Sequence, residues 1–343
     1  VEKLRTANLL NELRLLHFHV GSQINDIAIL KDALQEAGQI YVELHRLGAP
    51  MGYLDVGGGL GVDYDGSQTA TEASTNYSLQ IYANDVVATI KECCESNNIK
   101  TPILISESGR AIASHFSVLL FNILGTSTIP TKLPDIKPKE SQIVHNLRET
   151  LTSIMRIPKN MSIDNSKLQE AWNDALKFKE DALNAFRLGY LDLTERSIAE
   201  ELTCACAKEI AQLLKYCEVI PEDLKGLRSN PSQTYYANIS IFRSAPDTWA
   251  INQLFPIMPI HRLNEKPNQL GHFADLTCDS DGKLAAFINQ GQIKPLLELH
   301  QLKPNEPYII GLFLGGAYQE VMGNLHNLFG TTNSVHLRIT SDG

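Results

Sequence analysis

The chain has 343 residues, of which 43% are hydrophobic and 20% are charged, and its formal net charge is −9 at pH 7. This length and apolar content support two or three hydrophobic cores and exclude an intrinsically disordered chain. The negative charge argues against a broad surface for nucleic acid or anionic membrane, and no apolar run reaches the roughly 18 residues of a membrane span.

The cysteines favour a reducing compartment. Six are present, and they form no Cys-x-x-Cys pair and no spacing typical of a Cys/His metal site. A disulfide framework is therefore not expected, and a cytoplasmic location is predicted. Cys204 and Cys206 stand two apart in a helical pattern, which points their thiols to different faces and favours a packing role.

The first part of the chain predicts alternating strands and helices. Helical patterns cover residues 1–13, 29–47 and 77–96, and apolar strands lead into His19, Asp55 and Glu107. Polar side chains thus stand at the carboxyl end of each strand, as in a parallel α/β barrel or a doubly wound sheet. A complete barrel has more strands than these, so the chain is expected to be a fragment of a TIM-barrel protein.

A glycine-rich loop follows the strand that ends at Asp55. Four glycines fall within five positions, so successive backbone N–H groups are able to converge on an anion such as phosphate. The spacing is neither that of a P-loop nor Gly-x-Gly-x-x-Gly, and a plain tight turn is the alternative. The stretch consists of Leu54, Asp55, Val56, Gly57, Gly58, Gly59, Leu60, Gly61, Val62, Asp63 and Tyr64.

The pattern changes after Arg110. Residues 115–125 are apolar and β-rich and are predicted to be the barrel's exit strand, and a Pro/Lys-rich linker at residues 130–139 follows. Helical periodicity over residues 140–225 predicts a helical insert, whose simplest role is structural or an oligomer contact. A β-domain is predicted next, with strands at residues 236–242, 257–263, 270–276, 308–314 and 334–340. The last strand pattern has no continuation, so the carboxyl end is also expected to be cut.

Five motifs occur in an order that resembles pyridoxal-phosphate (PLP) decarboxylases of the alanine-racemase-like fold. They are His19-Val20-Gly21-Ser22, the stretch from Asp55 to Tyr64, Glu107-Ser108-Gly109-Arg110, the stretch from Thr277 to Gly282, and the stretch from Gly316 to Glu320. Within that group the chain is similar to the biosynthetic arginine decarboxylases, because residues 62–64, 247–256 and 322–330 look specific to them and because a helical block is present.

This resemblance covers nearly the whole chain and implies an α/β architecture in three parts. Residues 1–125 are expected to be the C-terminal part of a PLP-binding (β/α)8 TIM barrel. Residues 126–230 are expected to be a linker and a helical-bundle insert, and residues 231–343 a β-domain truncated at its C-terminal end.

The resemblance also implies PLP as the cofactor. PLP chemistry needs groups that fix the ring, keep its nitrogen charged and anchor its phosphate. Glu107 is expected to pair with the pyridinium nitrogen, Arg110 with the phosphate, and His19 to lie flat on the ring face. A histidine on an apolar strand is more often a core group, and the Gly-Ser after His19 favours the functional reading. The other cofactor-binding residues expected are Ser22, Asp55, Gly57, Gly58, Gly59, Gly109 and Tyr318, with Gly58, Gly59 and Gly109 acting through backbone N–H groups.

The implied reaction is decarboxylation of L-arginine to agmatine and CO2, the first step of polyamine biosynthesis. Cys278 is expected to return a proton to Cα, and Asp279 and Asp281 are expected to meet the basic end of the substrate, together with residues 54–64. Without the resemblance, Cys278 is simply a buried cysteine beside an Asp-Gly turn. The family packs head to tail, so a homodimer or higher oligomer is expected. Mg²⁺ is a further expectation from the resemblance alone.

Two departures from the family pattern leave alternatives open. None of the lysines of the barrel part, Lys3, Lys31, Lys91 and Lys100, stands at a strand end, so the Schiff-base lysine is expected outside this chain and the chain alone is expected to be inactive. Ornithine decarboxylases carry an aspartate shortly after a Tyr-Tyr-Val-Asn strand, but residues 235–241 carry none. The alternatives are an ornithine or diaminopimelate decarboxylase, a non-catalytic homologue that regulates a decarboxylase, and a racemase. Retention of Glu107, Arg110, Cys278 and Tyr318 favours an enzyme.

Overall fold

The amino-terminal part of the chain forms a parallel sheet with helical crossovers. The computed structural model describes residues 1–127, 133–158, 164–217, 219–228, 233–289 and 291–340. Strands β1 (Leu15–His17), β2 (Tyr53–Asp55) and β3 (Ile103–Ile105) pair side by side in that order and are all parallel. Helix α1 (Glu2–Thr6) precedes β1, and helices α2 (Ile27–Arg46) and α3 (Leu79–Ser96) form the two crossovers. The predicted order of strands and helices is confirmed.

Side-chain caps mark where the two crossover helices begin. The Asp26 carboxylate accepts a hydrogen bond from the Ala28 N–H at 3.0 Å, and the Ser78 hydroxyl accepts one from the Ile81 N–H at 3.3 Å. Such caps satisfy backbone donors that have no partner inside the helix. Each helix then buries one apolar face in a core that includes Leu34, Tyr41 and Ile90, which leaves the other face of the sheet free to carry the site.

A second, larger sheet occupies the carboxyl half of the chain. Its strands are β4 (Leu119–Thr126), β5 (Gln233–Ala237), β6 (Ile257–Pro259), β7 (Gln269–Ala274), β8 (Lys283–Leu284), β11 (Leu297–Leu299) and β12 (Ile309–Leu312). Within the described residues their order is β11-β7-β5-β4-β12-β6, with β8 beside β7. Strands β5 and β7 are parallel and the other pairs are antiparallel. Phe121, Tyr235, Phe273 and Phe287 meet edge to face in its core. Strand β9 (Phe287–Asn289) pairs separately with β10 (Gln292–Lys294).

The predicted helical insert is confirmed. Helices α5 (Gln142–Met155), α6 (Asn165–Arg187), α7 (Leu193–Leu213) and α8 (Glu222–Arg228) pack around Leu147, Leu202, Ile210 and other buried apolar residues. Cys206 is fully buried in this core while Cys204 is exposed, as the helical spacing predicted. Burial raises the pKa of the Cys206 thiol to about 12.

Short helices complete the chain: α4 (Gly109–Ala113) after β3, then α9 (Ile241–Ser244), α10 (Pro246–Ala250) and α11 (Gln319–Met322) in the β-domain. None of the helices in the described part of the chain has both the length and the apolar character needed to cross a membrane.

The placement of two early elements was wrong. The predicted exit strand at residues 115–125 is β4, which lies in the second sheet between β5 and β12 and not in the barrel part. Its buried residues Phe121 and Ile123 join the β-domain core, so its apolar side has partners there. The helix predicted over residues 1–13 ends at Thr6, because Asn8 takes a positive φ of 59° that α-helix does not allow.

Two late elements also differ from the prediction. The strand predicted at residues 236–242 ends at Ala237, and helix α9 begins at Ile241, whose N–H donates to buried Asp275 at 2.9 Å. The strand predicted at residues 334–340 is absent, and its alternating residues Val335, Leu337 and Ile339 are exposed. Alternation alone does not make a strand without a neighbour to pair with. Of the linker predicted at residues 130–139, residues 130–132 lie outside the described residues.

Candidate active site

Three ionisable side chains at strand ends share one face of the parallel sheet. His17 ends β1 and Asp55 ends β2, where they are register partners, and Glu107 lies two residues beyond β3. His17, Asp55 and Ile105 are register partners across the three strands. Because side chains alternate along a strand, Glu107, two residues after Ile105, points to the same face as His17 and Asp55. One ligand-type atom from each side chain lies within 4.8 Å of the others. Sequence reasoning chose Asp55 and Glu107 but passed over His17, because the neighbouring His19 carried the motif.

Asp55 is the centre of this group. Its side chain is 12% exposed, its Oδ2 accepts a hydrogen bond from Nδ1 of His17 at 2.9 Å, and its Oδ1 accepts one from the Gly57 N–H at 2.9 Å. A carboxylate accepts hydrogen bonds and donates none, so Nδ1 of His17 carries the hydrogen. Asp55 therefore fixes both the His17 ring and the first turn of the glycine-rich loop.

His19 lies against the same loop. The Gly58 N–H donates to Nδ1 of His19 at 3.1 Å. A Cβ added at Gly58 would lie 3.2 Å from Cε1 of the His19 ring and 4.0 Å from Cβ of Glu107. The loop thus holds the imidazole close to Glu107, and the Gly58 N–H, expected to face a phosphate, has His19 as its partner.

The other glycines of the loop permit close backbone contact. Gly57 has a φ of +67°, and a Cβ there would come within 2.1 Å of the Phe18 carbonyl oxygen. A Cβ at Gly61 would come within 2.6 Å of the Ile24 carbonyl oxygen. These glycines lock the loop onto the segment after β1 that carries His19 and Ser22. Some of the glycines that predicted an anion-binding loop are therefore needed for the packing of one loop on another.

Arg110 is a buried cation surrounded by hydroxyl groups and a ring. The residue is 6% exposed, Nη1 donates to the Tyr64 hydroxyl at 3.0 Å, and Nη2 donates to the Ser22 hydroxyl at 3.1 Å. The guanidinium carbon lies 4.9 Å from the centre of the Tyr318 ring. Within the described ranges, Arg110 forms no ion pair, and its buried Nε has no hydrogen-bond partner.

This environment fits an anionic ligand. A buried charge without a counter-charge is costly, and an oxyanion would supply both the charge and an acceptor for Nε. The Ser22 and Tyr64 hydroxyls stand on the same guanidinium and can donate to phosphate oxygens. Burial raises the pKa of Tyr64 above its usual value, which keeps that hydroxyl neutral and able to donate. The chain therefore fits the phosphate of PLP at Arg110.

Tyr318 reaches this place on a constrained loop. It has a positive φ of 70° at the start of α11, and the Gly316 N–H donates to the Ser114 carbonyl at 3.0 Å. A Cβ at Gly316 would meet the Ala113 carbonyl oxygen at 2.0 Å. Backbone contact thus brings the loop before α11 against the segment that follows α4, and the ring of Tyr318 onto Arg110.

Buried Gln319 and Asp247 hold the other side of that loop. Nε2 of Gln319 donates to the Asp247 carboxylate at 2.8 Å, and its Oε1 accepts from the Asp247 N–H at 3.1 Å. Both residues stood in motifs of the sequence, but their pairing across 72 positions left no local signal.

Cys278, Asp279 and Asp281 lie in an exposed loop of the β-domain. Oδ2 of Asp279 is 2.5 Å from Nε2 of His326, and Sγ of Cys278 accepts a hydrogen bond from Asn327 at 3.5 Å. Across the described residues, no hydrogen bond or ion pair joins this loop to His19, Glu107 or Arg110. The expectation that Cys278 is a buried packing residue, the alternative left open by its sequence, is wrong because the side chain is exposed.

Asp275 gives the loop its shape. This buried carboxylate accepts hydrogen bonds from the Thr277 N–H at 2.9 Å, the Thr277 hydroxyl at 2.8 Å and the Ile241 N–H at 2.9 Å. A Cβ at Gly282 would come within 2.2 Å of the same carboxylate. The sequence analysis missed Asp275 because it stood inside a predicted strand. The only sequence feature that indicated its role in the turn was its position two residues before Thr277.

Residues of the glycine-rich stretch lie in several different environments. Leu54 and Val56 are buried in the barrel core, whereas Leu60, Gly61, Val62 and Asp63 border a cavity of about 180 Å³. The Tyr64 ring meets Phe255 of the β-domain edge to face, with centroids 5.6 Å apart. The stretch predicted to bind substrate therefore also contacts the β-domain.

His17, Asp55 and Glu107 are close enough together to surround a cation. Mg²⁺ prefers oxygen ligands and an octahedral shell, and an imidazole in the group is a poor match for it. The geometry therefore gives the expected magnesium no support.

Two family models match parts of the chain. The model described as "Pyridoxal-dependent decarboxylase, pyridoxal binding domain" matches residues 1–114, and the one described as "Arginine decarboxylase helical bundle domain" matches residues 137–228. The first covers the parallel sheet with Arg110, and the second covers helices α5 to α8.

Curated relatives match from end to end. The chain is 71% identical over 343 residues to a biosynthetic arginine decarboxylase of Prochlorococcus marinus and 69% identical over 344 residues to one of a Synechococcus species. All of this chain is covered in both cases, against 53% and 52% of the relatives. The chain therefore spans about half the length of the curated relatives it matches.

Solved structures agree with the fold. The biosynthetic arginine decarboxylase of Campylobacter jejuni matches with a TM-score of 0.75 and 37% identity, over 96% of this chain and 51% of that one. A lysine decarboxylase of Selenomonas ruminantium matches with a TM-score of 0.53 and 14% identity, over 98% of this chain and 57% of that one. The second likeness supports the fold alone.

Proposed function

Because the chain belongs to the biosynthetic arginine decarboxylase family, we propose that the complete protein converts L-arginine to agmatine and CO2, the first step of polyamine biosynthesis. The observation that carries the proposal is Arg110, a buried cation that forms no ion pair with any described residue and is bonded to Ser22 and Tyr64. Its environment suits the phosphate of PLP, the cofactor named by the family model of this segment.

PLP, when bound, supplies a protonated ring that accepts the electron pair left behind as CO2 departs. Arg110, Ser22 and Tyr64 hold the phosphate in this proposal, and Gly59 and Gly109 add backbone donors. Glu107 places a carboxylate at the ring nitrogen, which favours the protonated nitrogen. His19, fixed by the Gly58 N–H, covers one ring face and excludes water from it.

The β-domain completes the proposed site from a second subunit. Cys278 donates a proton to Cα after CO2 leaves, and Asp279 and Asp281 accept hydrogen bonds from the guanidinium, whose planar donors suit carboxylates. Their exposure on the β-domain supports a head-to-tail homodimer in which one subunit's loop faces its partner's barrel. Tyr318 of the same chain closes over the phosphate at Arg110.

The helical block favours arginine over other basic amino acids. Helices α5 to α8 match a domain described for arginine decarboxylases, which supports neither an ornithine nor a diaminopimelate decarboxylase. The joint retention of Glu107, Arg110, Cys278 and Tyr318 argues against a non-catalytic regulator.

The proposed cytoplasmic location rests on the composition of the chain, and the proposed magnesium requirement rests on the family resemblance. Cell fractionation tests the location. Decarboxylase activity measured with and without a metal chelator tests the magnesium requirement.

The test uses the complete protein with PLP and either L-arginine, ornithine or diaminopimelate. We expect equal amounts of CO2 and agmatine from arginine, with much lower CO2 release from the other two. A protein that binds PLP but releases no CO2 from any of the three would support the regulator instead. Preference for ornithine or diaminopimelate would refute the proposed substrate but leave the reaction type standing.

A further inference from the structure

Tyr318 lies in a strained turn. Its backbone angles are φ 70° and ψ −31°, and the Gln319 N–H donates to the Ala317 carbonyl at 2.9 Å, which closes a three-residue γ-turn around it. A γ-turn with positive φ is rare, and a bulky residue adopts it only where the surrounding structure holds it there. The contacts of the neighbouring residues should therefore show what keeps Tyr318 in this turn.

The side chain of Gln319 closes the turn a second time. It is 3% exposed, and its Nε2 donates to the Ala317 carbonyl at 3.0 Å and to Oδ2 of Asp247 at 2.8 Å. Its Oε1 accepts from the Asp247 N–H at 3.1 Å. Both hydrogens of the amide nitrogen and the amide oxygen are thus used, one hydrogen within the turn and the other two bonds on Asp247.

Asp247 provides a fixed partner for that amide. It is 6% exposed and lies in the first turn of α10, where its carbonyl accepts from the Ile251 N–H at 3.1 Å and from the Gln253 N–H at 3.0 Å. A buried amide and a buried carboxylate that lose their hydrogen bonds are costly to keep out of water. The pair therefore ties the turn around Tyr318 to the start of α10.

The ring carried by this turn lies on Arg110. The guanidinium carbon is 4.9 Å from the centre of the Tyr318 ring, and before the turn the Gly316 N–H donates to the Ser114 carbonyl at 3.0 Å. The chain is thus held on both sides of Tyr318, by Gly316 on one side and by Gln319 on the other. A ring on one face of the cation keeps water from that face, which strengthens the attraction of Arg110 for an anion.

We propose that Gln319 and Asp247 are positioning residues that hold Tyr318 on Arg110 and thereby raise the affinity of the site for the phosphate of PLP. The inference rests on the proposed function for the identity of the cofactor. Neither residue contacts the phosphate in this role, and both act through the ring of Tyr318. A purely structural pair would stabilise the β-domain, and the effect of its loss would not depend on whether the Tyr318 ring is present.

The experiment compares variants of the complete protein by equilibrium PLP titration, by the thermal unfolding midpoint and by hydrogen exchange of the amides of residues 316–322 in the cofactor-free protein. Gln319→Met keeps the length of the side chain but removes the amide. Tyr318→Ala removes the ring, and the double variant removes both. Asp247→Asn keeps an oxygen for Nε2 of Gln319. Gln142→Met, which removes an exposed side-chain hydrogen bond of α5, is the matched control.

We expect Gln319→Met to weaken PLP binding about three- to tenfold, as for the loss of a cation–π contact, and to speed amide exchange at position 319. Tyr318→Ala should weaken PLP binding by a similar factor. The double variant should bind PLP no more weakly than Tyr318→Ala, because two changes that act through one contact are not additive. Asp247→Asn should stay near the wild-type affinity, and Gln142→Met should match wild type in every readout.

Wild-type PLP affinity in Gln319→Met would overturn the inference, and so would losses that multiply in the double variant, since Gln319 would then act by another route. A loss in Asp247→Asn as large as that in Gln319→Met would also contradict it, because the acceptor for Nε2 is still present. If Gln319→Met fails to fold, Gln319→Asn decides by the same readouts, because its shorter side chain cannot reach both Ala317 and Asp247.

Failure of the proposed function gives a different result. PLP titration needs no amino-acid substrate, so the expected affinities without CO2 release from arginine would refute the proposed function and leave the positioning role intact. Weaker PLP binding in Arg110→Met with wild-type binding in Gln319→Met would refute the positioning role alone. Wild-type binding in both variants would refute the phosphate site at Arg110 and the positioning role together.

Discussion

Arg110 is held by two hydroxyl groups and an aromatic ring where a buried guanidinium usually meets a carboxylate. Its dehydration is only partly offset by these neutral partners, and its Nε has no hydrogen-bond partner in the described part of the chain. In the absence of an anion, this residue costs stability, and in the presence of one it contributes binding. The same side chain should therefore affect folding and cofactor affinity in opposite directions.

The first prediction separates those two effects. Arg110→Met in the complete protein should weaken PLP binding by about 1.5–3 kcal/mol, because a charged donor to the phosphate is lost. The free energy of unfolding of the cofactor-free protein should not fall, because the unpaired buried charge is lost with it. Equilibrium PLP titration and urea unfolding check the two halves, and Arg156→Met at the exposed end of α5 is the control. PLP affinity equal to wild type would show that Arg110 does not bind the phosphate.

The glycine-rich loop and the segment after β1 act as one structural element. Gly57, Gly59 and Gly61 bring their backbone against carbonyl groups of that segment, and the Gly58 N–H bonds to His19. The candidate site residues that follow β1 and β2 are therefore positioned by loop-to-loop contact, which has little tolerance for an added methyl group.

The second prediction concerns Gly57. Gly57→Ala should lower the free energy of unfolding by about 2–4 kcal/mol, because the new Cβ meets a carbonyl oxygen and the backbone has a positive φ. Gly66 also has a positive φ, but space around it is open, so Gly66→Ala should cost only about 1 kcal/mol. Urea unfolding of both variants compares the loss of stability caused by the steric clash at Gly57 with the loss caused by the positive φ alone at Gly66. Equal losses would mean that the loop moves aside to accept the methyl group.

Cys206 should make the stability of the helical insert depend on pH. Burial raises the pKa of this thiol in the folded state to about 12 from an ordinary value of 9.0. The folded state thus favours the neutral thiol, so this contribution to stability is complete below pH 9 and is lost as the pH rises from 9 toward 12.

The third prediction is an alkaline slope that depends on this residue. Above pH 9 the free energy of unfolding should decrease by up to about 1.4 kcal/mol per pH unit because of Cys206. Urea unfolding across this range should show a smaller slope in Cys206→Ala and an unchanged slope in Cys204→Ala, where the thiol is exposed. Identical slopes in all three proteins would place the Cys206 thiol in contact with water.

At the scale of the whole molecule, the candidate site residues fall into two groups, and no hydrogen bond or ion pair between described residues joins one group to the other. His19, Glu107 and Arg110 lie on the parallel sheet and its loops, whereas Cys278 and Asp279 contact residues of the β-domain. A two-fold dimer that pairs each group with its complement would contain two composite sites.

The fourth prediction tests that arrangement by subunit mixing. A complete protein with Cys278→Ala is mixed with one that lacks the Schiff-base lysine, and random exchange should make about half the dimers mixed, each with one intact site of two. Decarboxylation should then recover to roughly a quarter of wild type. Exchange demonstrated without any recovery would mean that the Cys278 loop serves the barrel of its own chain.

The fifth prediction concerns the chain by itself. None of the lysines of the barrel part lies at the carboxyl end of β1, β2 or β3, and Lys31 is paired with Asp85 at 3.2 Å. After incubation with PLP and borohydride, the isolated chain should therefore carry no covalently attached cofactor, as judged by its intact mass. A stoichiometric adduct on a single lysine would contradict this.

Much of the architecture could be predicted because its signals are local. Helical periodicity located α2, α3 and the insert, and the boundary between apolar strand and polar tip located Asp55, Glu107 and Arg110. Motif spacing also indicated the family, since glycines, acids and a cation recur at fixed offsets along the chain. These features depend on residues that are near each other in sequence, where hydrogen-bonding and side-chain periodicity act directly.

Tertiary structure decided what depends on distant segments meeting. Strand β4 joined the β-domain because partners for its apolar side lie there, and residues 334–340 have no strand because pairing needs a neighbour. His17 shares a face with Asp55 because of strand register, and the lack of an ion-pair partner for Arg110 among the described residues became visible only in the folded chain. The sequence by itself therefore determined the kinds of element and the kind of chemistry, while the fold decided which side chains share one space, because contact energies act through distance and not through order along the chain.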